Sequence, residues 1–132
     1  MLRSTGMNHL SDLNLPTFSN IGLSDLATLD SDTMDRLPFG VVGMAATGDV
    51  NVYNATESKL AGLARDTVIG THFFSATAQC MNNFMVAQRF EDEAELDVTI
   101  DYVLTFRMRP TPVKLRLLKG AHSPLRYVLI QR

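Results

Sequence analysis

The stretch VTIDYVLTFRMRPTPVKLRL, residues 98–117, decides the fold. Val98, Ile100, Tyr102, Leu104, Phe106 and Met108 fall at every second position, separated by Thr99, Asp101, Thr105, Arg107 and Arg109. That period of two predicts a long strand with one buried face. Arg109-Pro110-Thr111-Pro112 forces a turn, because each proline removes a backbone donor and fixes φ. Val113, Leu115 and Leu117 then alternate with Lys114 and Arg116, and Gly120 to Pro124 turns the chain into a last strand near Arg126 to Gln131.

Upstream, FGVVGMAATGDVNVYN (residues 39–54) reads as a strand, a Thr47-Gly48-Asp49 turn and a second strand ending at Tyr53. Between hairpin and meander the spacing predicts short helices. Asn54 can cap one, Asp66 can cap another that ends by Gly70, and Phe84, Ala87 and Phe90 predict an amphipathic helix from Asn82 to about Ala94. Ahead of the hairpin, Ser24 can cap a helix over Asp25 to Arg36, stopped by Pro38. Residues 1–22 read as a flexible N-terminal arm that can pack through Leu13, Leu15 and Phe18. The expected fold is α+β: a five-stranded antiparallel sheet with helices on one face, an apolar pocket between the layers, and the arm. This is the plan of a PAS domain, expected as a single domain over residues 23–132.

With 132 residues and 45% apolar content the chain can build one real core. A single cysteine excludes an internal disulfide framework and a multi-cysteine zinc site, so a reducing cytoplasm is the expected compartment. No apolar run reaches the roughly 18 residues that would cross a bilayer, and the first residues lack a signal peptide's apolar stretch. His9, His72 and His122 are dispersed with no partner at metal-ligand spacing; His72 leaves a haem-binding alternative open.

The formal charge of −2 hides an asymmetry: Glu91, Asp92, Glu93, Glu95 and Asp97 form an acidic run, while nothing after Asp101 is acidic. The basic C-terminal part is expected to be a solvated sheet face. Nucleic acid is not the expected partner, since base-stacking aromatics are sparse there.

Cys80, Tyr53 and Glu57 are the candidate chemical residues, and each has two readings. Cys80 is a small buried hydrophobe, or a thiol reactive through exposure and a nearby helix N-terminus beginning at Asn82. Tyr53 closes a strand as a half-buried aromatic with a wet hydroxyl, or aims that hydroxyl into the pocket. Glu57, three residues after Asn54, either reaches back to the cap's backbone N–H as an exposed carboxylate or lies buried and neutral.

LPFGVV near residue 37, VYNATES around Tyr53, VIGTHFF before Cys80 and MRPTPVKL near the fourth strand occur in the order and nearly the spacing of the photoactive yellow protein family. The chain resembles that family from about Asp25 to Arg132. The resemblance implies a blue-light receptor carrying p-coumaric acid as a thioester on Cys80. It implies that Tyr53 and protonated Glu57 hydrogen-bond the phenolate, and that Met108 flanks the chromophore. Phe74 and Phe106 are pocket candidates, as are Ala61, where the family usually has a threonine, and Leu63, where it has an arginine. Gln79 stands in place of a proline. Signalling would follow from isomerisation, proton transfer and loosening of the N-terminal region toward an unidentified downstream protein, without enzymatic turnover. The alternative is a PAS module with no covalent pigment, acting as a small-ligand sensor or an interaction domain.

Overall fold

A computed structural model describes residues 15–105 and 109–132. Leu13, Phe106 and Met108 lie outside the described residues. The described elements are α1 (Leu23–Thr28), α2 (Ser31–Arg36), β1 (Gly40–Met44), β2 (Val50–Tyr53), α3 (Ala55–Ala61), α4 (Arg65–Val68), a π-helical turn (Phe73–Thr77), a 3-10 turn (Gln79–Met81), α5 (Ala87–Asp92), β3 (Leu96–Leu104), β4 (Thr111–Lys119) and β5 (Arg126–Gln131).

The five strands form one antiparallel sheet in the order β2-β1-β5-β4-β3. The first and last parts of the chain therefore meet at the β1–β5 ladder, where Gly40 pairs with Ile130 and Val42 with Val128. Alternation along each strand sorts the apolar residues between two faces. Val42, Met44, Leu115, Leu117, Val128 and Ile130 face one cluster with Tyr53, Phe73, Phe74 and Phe90. Val41, Leu118, Tyr127 and Leu129 face a second, with Phe18, Ile21, Leu26, Met34 and Leu37.

The helices are thus not confined to one face: α1, α2 and the segment before them cover the opposite one. Within the 1–22 segment, Phe18 and Ile21 are buried. Arg116 crosses the outer face to donate from Nη1 to the carbonyls of Phe18, Ser19 and Ile21, and its other nitrogens grip Asp97 at 2.9 and 3.0 Å.

Two helices differ from their sequence expectations through competing side-chain caps. The expected 25–36 helix is broken because Asp30 accepts from the Thr33 amide at 2.8 Å and starts α2, while Gly22 rather than Ser24 precedes α1. The expected 82–94 helix shrinks to α5 because Asn83 Oδ1 accepts from the amides of Met85 (3.0 Å) and Val86 (3.2 Å), folding 82–86 into a turn. Phe84, read as part of the buried stripe, is 78% exposed in consequence.

The basic strands do not present a free cationic face. Lys114 pairs with Asp101, Arg116 with Asp97, Arg126 with Glu91 and Arg132 with Glu57, so much of the sequence's charge asymmetry is resolved by pairing within the fold. Among the described residues no helix is long and apolar enough to cross a membrane.

Candidate functional site

Asn54 organises the site from the backbone outward. Its Oδ1 accepts from the amides of Val41 (2.9 Å) and Glu57 (3.0 Å), and its Nδ2 donates to the carbonyls of Met34 (2.9 Å) and Phe39 (3.1 Å). One buried amide thus caps α3, holds β1 and secures the end of α2, using its acceptor and both donors. The Asn54 backbone N–H donates to Val41 C=O at 3.1 Å, so Glu57 is not needed as the reciprocal half of a capping box.

Freed from the cap, Glu57 turns inward. It is 2% exposed, and its carboxyl lies over Gly40 so closely that a Cβ on that glycine would sit 2.0 Å from Oε1. Arg132, just beyond β5, meets it with a two-pronged contact: Nη1 to Oε1 at 2.7 Å and Nη2 to Oε2 at 3.2 Å. With Arg132 N–H groups aimed at both oxygens, the arrangement suits the ionised form of Glu57. Burial pushes its pKa above the usual carboxylate range, and the Arg132 hydrogen bonds and charge pull it back only in part. The expected burial of Glu57 is observed, and it comes with a partner, Arg132, that the sequence reading did not foresee.

Tyr53 ends β2 inside the main cluster, 3% exposed. Burial first, then the neighbouring Glu57 charge, raises its phenol pKa, while Arg132 acts in the opposite direction. The hydroxyl therefore remains protonated at neutral pH, as a hydrogen-bond donor must.

Cys80 lies in the Gln79–Met81 turn, half-buried against the same cluster. Its carbonyl accepts from Tyr102 Oη and from Asn83 Nδ2, the latter at 3.1 Å, which ties the turn to β3. The expected helix N-terminus beside the thiol is absent from that position, since α5 begins only at Ala87. Ala61 closes α3 and is buried; Leu63 follows Gly62, whose φ of +72° ends the helix, and packs against the main cluster. Phe74 is buried, its ring 5.2 Å from Phe73 and 6.2 Å from Phe90. Arg65, two residues beyond Leu63, is tied to Asp35 at 2.8 Å. His72 is exposed and its Nδ1 is engaged by Ser75 Oγ at 2.9 Å.

The structure brings Tyr53, Phe74, Leu63 and Cys80 onto one cluster, with Glu57 reached over Gly40. Sequence reading missed Arg132. The available signal was its place two residues after Ile130, which is itself two after Val128: a charge continuing a buried alternation requires a buried partner. These residues carry the chemistry a phenolic ligand would use: a phenol at Tyr53, a carboxyl at Glu57, the apolar side chains of the main cluster, and the Cys80 thiol, which can carry an acyl group.

No family model matches the chain. It is 28% identical over 110 residues to the photoactive yellow protein of Rhodothalassium salexigens, covering 81% of this chain and 88% of that one. The photoactive yellow protein domain of the sensor histidine kinase Ppr from Rhodospirillum centenum superposes with a TM-score of 0.77 at 28% identity, covering 83% of this chain and 99% of that domain. The PAS domain of an HTR-like protein from Haloarcula marismortui superposes at 0.60 with 14% identity, covering 77% and 91% of the two chains, a likeness of fold alone.

Proposed function

From its kinship with the photoactive yellow proteins, which makes this PAS domain a sensor module rather than an enzyme, we propose that it is a blue-light photoreceptor carrying p-coumaric acid on Cys80. The observation that carries the reading is Asn54 capping α3, so that strand-end Tyr53 and deeply buried Glu57 flank one helix start in a chain whose sole cysteine packs on the same cluster. Cys80 Sγ would take the acyl group from an activated hydroxycinnamoyl ester, an S–C bond forming as the ester's leaving group departs. When bound, the pigment supplies visible absorption and a double bond that light can isomerise. Tyr53 would donate its O–H to the phenolate oxygen, and Glu57 would hold a proton at its carboxyl and release it after the light step. Met108 is the remaining family position expected beside the ligand. The N-terminal segment, held by Arg116 on the opposite face, is the element whose loosening would carry the signal to a downstream protein, with the cytoplasm as compartment.

The test is to incubate purified apoprotein with activated p-coumaric acid and record the visible spectrum and intact mass. A pigment mass on the native chain that is lost in Cys80→Ala is expected. No mass increase in the native protein, or one that persists in Cys80→Ala, overturns the proposal. The apolar Ala61 and Leu63 and the engaged state of Glu57 favour the second reading, a PAS module sensing a small non-covalent ligand or docking a protein.

A further inference from the structure

Glu57 and Arg132 are 75 positions apart, yet they form the most deeply buried ion pair among the described residues. The carboxylate side chain is 2% exposed and the guanidinium 17%, whereas the pairs made by Arg65, Arg89, Lys114, Arg116 and Arg126 each have a partner at least 40% exposed. The geometry is specific: Gly40 offers no Cβ, so the carboxyl settles against β1, and the neighbouring strand β5 delivers the guanidinium fork to both oxygens. A lysine cannot reproduce that two-pronged contact, though it can supply the charge. Arg65 and Arg126 are committed elsewhere, to Asp35 and Glu91.

We propose that Arg132 is the counter-ion of Glu57: it holds the carboxylate whenever the proton is absent, in the pigment-free protein and after proton release. This rests on the photoreceptor reading for its role in signalling, but not for its existence in the apoprotein. In the proposed cycle, protonated Glu57 gives its proton to the phenolate oxygen, leaving a neutral phenol and a carboxylate, and the Arg132 N–H groups close on that carboxylate. The charge left inside the protein is then paired. The driving force for loosening the N-terminal segment cannot be a lone buried carboxylate, as it would be without Arg132. Arg132 is thus a positioning residue, acting through Glu57 from just beyond β5.

The test uses pigment-free protein, so failure to load p-coumaric acid leaves it intact, and its own failure leaves the loading result intact. Infrared spectra at neutral pH should show no protonated carboxylic C=O band in the native apoprotein. Arg132→Gln should gain one such band per chain, because burial then acts on Glu57 without its cation. The band should vanish in Arg132→Gln combined with Glu57→Gln, and Arg132→Lys should restore the native spectrum. Circular dichroism checks that each variant is folded; should Arg132→Gln fail to fold, the native and Arg132→Lys spectra decide. A C=O band from Glu57 in the native apoprotein or in Arg132→Lys, or its absence from folded Arg132→Gln, overturns the inference.

Discussion

Replacing Arg116 by Met should release the N-terminal segment from the sheet while leaving the rest of the domain folded. Arg116 is 8% exposed and its Nη1 serves three carbonyls, of which those of Phe18 and Ile21 lie in buried hydrogen bonds. Met fills much of the volume but donates nothing. Leaving two buried acceptors unsatisfied costs about 1–3 kcal/mol each, so roughly 2–6 kcal/mol if the segment stays in place. Letting it go forfeits the burial of Phe18 and Ile21, about 1.5–3 kcal/mol apiece, but recovers chain entropy. The chain takes the cheaper route, and we expect a global loss of about 2–4 kcal/mol together with opening of residues 17–22. Asp97→Asn is the control: Asp97 is 58% exposed, so its ion pair should contribute under about 1 kcal/mol, while the carbonyl contacts survive. Urea unfolding gives the first quantity, and hydrogen exchange at the amides of Asn20 and Ile21, both bonded to Thr17 C=O, gives the second. If Asp97→Asn costs as much as Arg116→Met, or those amides stay protected in Arg116→Met, the clamp is not what holds the segment.

Asn54→Ala should lose about 3 kcal/mol or more in urea, since it removes a helix cap and strips partners from four backbone groups; a loss under about 1 kcal/mol would refute that accounting. Gly40→Ala should cost about 1–3 kcal/mol by forcing Glu57 out of place, and much less in a Glu57→Ala background; equal costs in both backgrounds would show that the crowding is not with Glu57. Because the Glu57 pKa is raised by folding, its contribution is fully present below the unfolded value near 4 and is lost as pH rises through the folded value. Glu57→Gln should therefore gain on the native protein as pH rises from about 4 toward neutrality, and a pH-independent difference in urea midpoints would contradict this. Asp97 has the opposite sign: Arg116 lowers its pKa, so its modest contribution is present above about 4 and disappears as pH falls through the folded value, an acid limb that Arg116→Met should lack in the same titration.

Much of the architecture was legible in the chain because it depends on local periodicity. The two-residue alternation from Val98 to Leu104 and the Thr47-Gly48-Asp49 turn each determine a strand or its end without help from distant residues, and antiparallel pairing follows from short connections; the turn expected over residues 109–112 is shorter at its far end, because Thr111 and Pro112, already in β4, pair with Leu104 and Val103. The Asn54 cap was legible for the same reason, since its acceptor and the Glu57 amide are three residues apart. Local rules failed where two local options were close in energy: Asp30 and Asn83 offered side-chain caps that outcompeted continuation of a helix, and Phe84 went to solvent as a result.

The chemistry at Glu57 was decided by tertiary structure. Sequence placed a carboxylic acid one helical turn after Tyr53, but capping and burial were equally open to it. The choice fell to Val41 C=O, which occupies the cap's backbone N–H, and to Arg132, brought in by the β1–β5 ladder. The same holds for Arg116, whose carbonyl partners lie 95 to 98 positions away. Periodicity says which side of a strand a residue faces, because that depends on its own backbone. Which charge it meets there depends on the register of strands far apart in sequence, and that is set by the packing of the whole sheet.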